Sequence, residues 1–410
     1  MELLRRPAPK LIPAPPHGGG DGTSTPRRSR ILYVTHDDPS RSDWLHGYYL
    51  ATAFREQLGN VALFGPPPRR AFDHLRFGAR KIVTARLAGT VFNIAFEPPV
   101  VRYYAQEIRR VARQVDAALV FCNNPIPVAL LGSSTPYVIH TDATVSGLQQ
   151  LGYYLDGTSS RSLRNWLHFD RAAVLSAAAV FFSSEWAAGC AIDDYGADPA
   201  KVYVVPQGAN LDVPPVDEDT IDRGPGEVCR LLFYGSDWTR KGGEVAYETL
   251  KALERRGVPA LLRICGPGTL PDGLAQDTSV EFVPRVDKND PVGAAKLFDL
   301  FRHTDFVVLP TRADCTPVAI SEAAVFGVPS VASDVGGIPS MIDQGVNGYT
   351  LPLHSSADDY AAVISRVFGD DQAFRRLRRE ARRNYLERLN WGVAVREIEA
   401  ALLERGLIQV

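Results

Sequence analysis

The stretch DFVVLPTRADCTPVAISEAAVFGVPSVASDVGG, residues 305–337, decides the fold class of this chain. It begins with an apolar run typical of a buried strand, turns through a polar loop, and continues into a segment with helical spacing. A second apolar run and two glycines follow, so the stretch predicts a strand, a helix and a parallel strand. Two carboxylates lie in it: Asp314 in the loop, and Glu322 about one turn inside the helix.

The same alternation of apolar runs and amphipathic segments extends over most of the chain, with one interruption. Residues 213–228 are rich in proline, glycine and acids, which is typical of a linker. Strands that alternate with helices on both sides of this linker are typical of doubly wound parallel sheets. The pattern predicts an α/β protein with two Rossmann-like domains facing across a cleft, at residues 30–212 and 229–388, and a final helix at 389–410.

The composition of the 410-residue chain excludes several classes of protein. Its formal net charge of −2 gives no overall field that would attract nucleic acid. No apolar stretch reaches the roughly 18–20 residues that a membrane-spanning helix needs. Five cysteines without a CxxC pair are typical of reduced, buried thiols in a cytosolic protein, so a cytoplasmic location is expected.

Two segments near the start of the chain have unusual compositions. Residues 1–29 are rich in proline and glycine and lack the apolar core of a secretory signal, so we expect a disordered tail. Residues 66–89 carry six cationic side chains and one Asp, with apolar residues between them. This pattern predicts that the segment rests on the inner face of an anionic membrane. The alternative is a solvated surface segment whose apolar side packs against the protein.

The loop around Asp314 lies at the carboxyl end of a predicted strand and directly before a helix. In doubly wound sheets ligands bind at this edge, and a helix N-terminus offers free N–H groups and the positive end of its dipole. A diphosphate would fit there, with one acid near each end of the ligand. The alternative is that Asp314 caps the helix and Glu322 is a solvated helix residue.

Residues 310–352 resemble the nucleotide-sugar-binding segment of retaining glycosyltransferases of the GT-B fold, the family 4 group, also described as glycosyl transferases group 1. The family pattern is an acid, seven residues and Glu, followed by A…G.P.V.S..GG..E.I..G.NG. The chain departs from it at Asp314, where Glu is usual, at CTP in place of Gly-Phe-Gly, and at Ser340 in place of a second Glu. It matches at Glu322, Ala323, Gly327, Pro329, Val331, Ser333, Gly336, Gly337, Pro339, Ile342, Gly345, Asn347 and Gly348.

The resemblance implies how a nucleotide-sugar donor would be held. Glu322 would bind the ribose hydroxyls, and Asp314 would contact the sugar. Lys241 and Arg240 would hold the diphosphate, because negative charge grows on the leaving group as its bond to the sugar breaks. Arg240 would replace the arginine that many members carry where this chain has Ser236, although a solvated helix start is the alternative for Arg240 and Lys241. Other implied donor-binding residues are Gly235, Gly266, Arg285, Thr316, Pro317 and Val318.

The resemblance is weaker in the N-terminal half, where it concerns the acceptor side. His140, in VIHTDAT, matches a family histidine close to the transferred sugar, with Asp142 nearby, although a structural histidine is the alternative. Gly47 matches the glycine at the start of the first helix, and Trp44 and His46 would face the acceptor. In the family the last helix crosses back to the first domain, which implies the same course for residues 389–410.

The implied activity is transfer of a sugar from a UDP- or GDP-sugar to a glycan, lipid-linked or small-molecule acceptor, with retention of the anomeric configuration. No cofactor is implied beyond the donor substrate. Metal independence is expected, because the Asp-x-Asp of this chain, Asp217 and Asp219, lies in the linker. The alternative is a catalytically impaired nucleotide-sugar-binding scaffold, which Asp314 and Ser236 would favour. The sequence leaves the base, the sugar and the acceptor open.

Overall fold

The computed structural model describes residues 10–14, 29–35, 47–66, 77–78, 84–85, 89–133, 135–212, 216–271 and 273–409. The chain divides into two compact units. The first contains Met1–Val205 together with Val395–Val410, and the second contains Pro206–Ala394. Each unit has its own sheet and its own buried core, so each is described by itself.

The first unit contains a seven-stranded sheet in the order β1-β3-β2-β4-β5-β6-β7. All neighbouring strands are parallel except β1, which is antiparallel to β3. Most strands are continuous apolar runs that are buried along their length, as expected for a sheet covered by helices on both faces. The strands are β1 (Lys10–Ile12), β2 (Ile31–Val34), β3 (Val61–Gly65), β4 (Leu119–Cys122), β5 (Tyr137–Thr141), β6 (Ala179–Phe182) and β7 (Val202–Val204).

Strand β1 corrects the expectation that residues 1–29 form a disordered tail. Lys10–Ile12 pair in register with residues 63–65 at the edge of the sheet. Three residues between two prolines carry too little periodicity to be recognised as a strand, and only the partner strand reveals them. Most of the remaining tail lies outside the described residues.

Most helices of the first unit begin at polar caps or prolines. Thr144, Ser159 and Ser184 each accept a hydrogen bond from a backbone N–H in the first turn of the helix that follows. The order of the strands reverses between β2 and β4, which makes the carboxyl ends of these two strands the switch point of the sheet. The helices are α1 (Gly47–Leu58), α2 (Pro98–Gln114), α3 (Pro125–Val128), α4 (Val145–Leu151), α5 (Ser160–Ser176) and α6 (Glu185–Asp193).

The second unit contains a wholly parallel six-stranded sheet in the order β10-β9-β8-β11-β12-β13, the order typical of the Rossmann fold. Its switch point lies between β8 and β11. The strands are β8 (Cys229–Tyr234), β9 (Ala260–Cys265), β10 (Val280–Val283), β11 (Phe306–Leu309), β12 (Ser330–Asp334) and β13 (Gly348–Pro352). The helices are α7 (Glu218–Asp222), α8 (Gly243–Arg255), α9 (Pro291–Arg302), α10 (Val318–Val325), α11 (Ala357–Phe368) and α12 (Asp371–Glu387).

The predicted linker is partly folded onto the second unit. Its described part, residues 216–228, contains the short helix α7, in which Ile221 is buried. The fully buried guanidinium of Arg378, on α12, donates hydrogen bonds to the carbonyls of Thr220 and Ile221. Residues 206–212, placed in the first domain by the sequence, also lie in the second unit, where Ser321 Oγ donates to Gln207 O at 3.1 Å.

Helix α13 (Trp391–Glu404) crosses the division between the units at residue 394. The residues that follow it belong to the first unit. There, Arg405 Nη1 donates to Ala200 O at 2.7 Å, and the backbone N–H of Gln409 donates to Ser29 Oγ at 2.9 Å. These bonds attach residues 405–409 to the segments that precede β2 and β7.

Candidate functional site

The loops that follow β8 and β11 are bonded to each other at the switch point of the second sheet. The carbonyl of Arg240 accepts hydrogen bonds from Arg312 N at 2.8 Å and from Thr311 Oγ1 at 3.1 Å. Gly242, the N-cap of α8, has a φ of +75°, and a Cβ there would lie 1.9 Å from Pro310 O. Only glycine allows this close approach to Pro310. Gly242 therefore determines the position of the loop that carries Arg240 and Lys241.

Lys241 and Asp314 form an ion pair at this junction. Lys241 Nζ donates to Asp314 Oδ2, and the two side chains are 12% and 7% exposed. Arg240 Nη1 lies 3.8 Å from the same carboxylate oxygen and donates to Ala313 O at 2.7 Å. The two cations are therefore fixed by partners rather than solvated, which contradicts the alternative interpretation of this helix start.

Glu322 is fully buried in α10 and forms a second ion pair. Its Oε1 accepts a hydrogen bond from Nζ of Lys288, which lies in the loop between β10 and α9. Burial raises the pKa of the Glu322 carboxyl, and Lys288, the Tyr234 hydroxyl and the Asn210 backbone N–H oppose that shift. A solvated Glu322 is therefore wrong. So is a capping Asp314, because the N-cap of α10 is Pro317 and no side chain caps it.

The other predicted donor-binding residues lie along the same edge of the sheet. Gly235 follows β8, and Gly266 follows β9 with a φ of +115°; a Cβ on Gly266 would lie 2.8 Å from Gly235 O. Thr316 and Pro317 are buried at the start of α10, and Val318 is its first residue. Ser236 and Arg285 are exposed in the loops after β8 and β10. The structure thus brings these residues to the carboxyl ends of four neighbouring strands.

The predicted acceptor-side residues that the structure describes lie at the carboxyl edge of the first sheet. Gly47 begins α1, and a Cβ there would lie 2.6 Å from Thr35 Oγ1 and 2.8 Å from Asn123 Nδ2, which explains the glycine. His140, on β5, is 2% exposed, and its Nε2 is 3.3 Å from Val205 O. Asp142 is half-buried in the loop after β5. Trp44 and His46 lie outside the described residues.

The sequence did not single out Lys288 or Asp170. Asp170, on α5, is buried, and its Oδ2 accepts hydrogen bonds from the Tyr195 hydroxyl at 2.6 Å and from Val145 N at 2.9 Å. Val145 is the first residue of α4, so Asp170 anchors the helix that follows the loop carrying Asp142. The only signal in the sequence was an acid on the apolar side of a helix, which does not identify its partners.

Three other predictions concern surface segments and thiols. Most of residues 66–89 lies outside the described residues, but Phe77 packs in a buried cluster with Phe92, Ile94, Val100 and Tyr104, which supports an apolar inner side for this segment. All five cysteines lie among the described residues, where they are buried and form no disulfide bond. Among the described residues, no helix has the length and hydropathy needed to cross a bilayer, and no three His, Cys, Asp or Glu residues are grouped as metal ligands.

A parallel sheet of Rossmann order, with basic and acidic residues gathered at its switch point, defines a nucleotide-binding type of α/β domain. Two family models match the chain: "Glycosyl transferases group 1" over residues 229–370 and "Glycosyltransferase Family 4" over residues 45–213. The chain therefore belongs to the family 4 group of glycosyltransferases, as the resemblance predicted.

Curated relatives named D-inositol 3-phosphate glycosyltransferase match part of the chain. The protein from Jonesia denitrificans is 29% identical over 221 residues, which cover 48% of this chain and 50% of the relative. The protein from Corynebacterium aurimucosum is 26% identical over 291 residues, or 67% of each chain. In the first of these matches the chain spans about half the length of its relative.

Solved structures of GT-B glycosyltransferases share the fold. Sucrose-phosphate synthase from Thermosynechococcus elongatus aligns with a TM-score of 0.64 and 16% identity, over 92% of this chain and 99% of the other. Anabaena HepE in complex with UDP aligns with a TM-score of 0.62 and 16% identity, over 92% and 100%. These likenesses confirm the α/β, GT-B type of fold predicted from the sequence.

Proposed function

We propose that the chain transfers a sugar from a nucleoside-diphosphate donor, a UDP- or GDP-sugar, to an acceptor hydroxyl with retention of the anomeric configuration. One observation carries the proposal: the pairing of Lys241 with Asp314, beside Arg240, at the switch point of the second sheet. Family membership supports the activity, and the UDP bound in the HepE structure supports a uridine nucleotide donor. The name shared by the curated relatives supports an acceptor of the inositol phosphate type.

The charges at the switch point suit a departing diphosphate. Arg240 and Lys241 can neutralise the negative charge that develops on the leaving phosphate, and their bonds to the β11 loop hold them in place before the reaction. Asp314 would exchange part of its bond with Lys241 for a contact with the sugar. Glu322, about one turn inside α10, would accept hydrogen bonds from the ribose.

Retention requires a particular course of the reaction, because the proposal assigns no side chain as the nucleophile. The acceptor hydroxyl would attack on the face from which the phosphate leaves, through an oxocarbenium-like transition state. The departing phosphate would take the proton of that hydroxyl. We propose that no metal ion or cofactor takes part. His140 would act in catalysis close to the transferred sugar, and Asp142 and Gly47 would act on the acceptor side together with Trp44 and His46.

The test uses two matched pairs of variants in the second unit. Lys241→Met and Asp314→Asn remove the proposed pair, whereas Lys251→Met and Asp277→Asn remove a lysine–aspartate pair elsewhere in the unit. Transfer and donor hydrolysis are measured with UDP- and GDP-sugars, using inositol phosphate as one acceptor. We expect a loss of about 100-fold or more in kcat for the first pair, and little change for the second.

Three results would contradict the proposal in whole or in part. A wild-type protein that binds nucleotide sugars without any turnover would be a scaffold, the alternative considered from the sequence. A wild-type protein that no UDP- or GDP-sugar stabilises would not be a donor-binding protein at all, because a ligand at 100 times its Kd should add roughly 2.7 kcal/mol to the free energy of unfolding. An inverted anomeric product, detected by NMR, would contradict retention alone.

A further inference from the structure

The loop after β10 supplies a lysine to the buried carboxylate of α10. Lys288 Nζ donates to Glu322 Oε1 and lies 3.5 Å from Asn210 O and 5.9 Å from the centroid of the Tyr234 ring. The ammonium is therefore surrounded by a carboxylate, a backbone carbonyl and an aromatic face. Glu322 is 0% exposed, so no bulk water is available to stabilise its negative charge.

One oxygen of the Glu322 carboxylate can accept a further hydrogen bond. Its Oε2 is buried and has no donor in good hydrogen-bond geometry among the described residues, although the Tyr234 hydroxyl and the Asn210 backbone N–H lie close enough to the carboxylate to favour its charge. Asn210, on the segment next to it, is also buried, and its Nδ2 makes no hydrogen bond, whereas its Oδ1 accepts one from Trp391 Nε1 at 3.0 Å. Buried polar atoms without partners are rare in native proteins and point to a missing ligand or water.

We propose that Lys288 is a positioning residue: it keeps Glu322 ionised and oriented so that Oε2 accepts a hydrogen bond from a ribose hydroxyl of the donor nucleotide. The proposal rests on the proposed function, since it assumes that a nucleotide binds along this edge of the second sheet. Neither the family pattern around Asp314 nor the resemblance assigns a role to Lys288.

The physical reason is that a carboxylate and a carboxylic acid differ as hydrogen-bond partners. An ionised Glu322 offers only acceptors, whereas a protonated one carries a donor on one of its oxygens. Without the ammonium of Lys288, the buried carboxyl would bind a proton more readily, because burial already favours its neutral form. Nucleotide binding would then have to expel that proton, and affinity would depend on pH.

The experiment measures the binding of UDP and GDP to the full chain by calorimetry between pH 6 and 9, for wild type and Lys288→Met. We expect wild-type affinity to be nearly independent of pH. The affinity of the variant should be at least tenfold weaker at pH 6.5 and should rise by up to tenfold per pH unit towards the wild-type value. Calorimetry in buffers of different ionisation enthalpy should show proton release on binding for the variant only.

Ribose recognition gives a second readout, which a merely structural role would not change. Wild type should prefer UDP over 2′-deoxy-UDP or 3′-deoxy-UDP by about tenfold or more, and Lys288→Met should lose most of this preference at pH 6.5. Lys288→Arg, which keeps the charge, should restore a flat pH profile. Lys296→Met, a change of an exposed lysine on α9, is the matched control and should behave as wild type.

The variant Lys288→Met/Glu322→Gln keeps the test informative should the single variant unfold. It removes both charges, so it should bind nucleotide weakly, without pH dependence and without proton release. An unchanged pH profile and ribose preference in Lys288→Met would overturn the role of Lys288, as would an equal loss of affinity at every pH without proton release. Absence of UDP and GDP binding in wild type would instead overturn the proposed function, and this inference with it.

Discussion

Asp170 is a buried carboxyl with a pKa that burial raises to about 6, against the opposing effect of its hydrogen bonds from Tyr195 and Val145. Between about pH 4 and pH 6 the folded state therefore holds a proton that the unfolded chain has released. The stability contributed by this proton is complete below the ordinary pKa of an aspartate and is lost as the pH rises through about 6.

Replacement of Asp170 by Asn tests this directly. Both hydrogen bonds go to Oδ2, so an amide oxygen in the same place can accept them without ionising. We expect the free energy of unfolding of wild type, relative to Asp170→Asn, to fall by up to about 3 kcal/mol between pH 4 and pH 7. Denaturant titrations of both proteins at several pH values measure the difference. A constant difference over that range would show that Asp170 titrates at its ordinary pKa.

At the scale of single residues, the sequence singled out candidate side chains but not their partners. The resemblance to family 4 implied Glu322 and Lys241 as matches to its motif, Asp314 as a departure from it, and Arg240 as a replacement for the arginine usual at Ser236. Lys288 could not be predicted, since its partner Glu322 lies 34 residues away and the pair exists only when two loops meet at one sheet edge. Residue type and spacing carry no information about such contacts.

At the scale of elements, α12 shows how a helix of arginines can be partly internal. The segment FRRLRREARRNYLERL, residues 374–389, has the periodicity of a helix that packs against the domain with solvated arginines. In the structure, however, Arg378 is fully buried. Its guanidinium donates to the carbonyls of Thr220, Ile221, Thr304 and Phe326, at the ends of α7 and α10 and before β11. Burial lowers the pKa of Arg378 to about 9, so the charge is retained at neutral pH.

We predict that Arg378→Met lowers the free energy of unfolding by about 3–5 kcal/mol, because four buried carbonyls would lose a charged donor. The control is Arg376→Met, an exposed arginine on the same helix, which should change stability by about 0.5 kcal/mol or less. Urea unfolding monitored by tryptophan fluorescence measures both. Equal effects of the two substitutions would mean that these carbonyls bond equally well to water when the guanidinium is removed.

The elements that the sequence predicted best are those with strong local patterns. The strands β2, β4, β8 and β11 are apolar runs, which local patterning alone can predict. The segments predicted least well are β1 and α7, which are three and five residues long. Their structure comes from a neighbour: β3 pairs with β1, and Arg378 binds the carbonyls of α7. Local propensity alone would leave both unfolded.

At the scale of the whole molecule, the two units have separate cores, so a ligand of one unit need not stabilise the other equally. The cores share no residues, and the predicted donor-binding residues all belong to the second unit. A bound ligand slows the hydrogen exchange of those backbone amides that exchange only when local opening breaks contacts with the ligand, or with the loops that hold it.

We therefore expect UDP, or GDP if it binds more tightly, to protect backbone amides mainly in the second unit. At 100 times the Kd, amides that exchange only through openings of the nucleotide site should slow by up to about 100-fold in residues 235–242, 284–290 and 312–322. Strands β4 and β6 of the first unit should exchange at the same rates with and without nucleotide, which supplies the control. Mass spectrometry of peptic peptides measures both sets, and protection confined to the first unit would refute a nucleotide site at the switch point between β8 and β11.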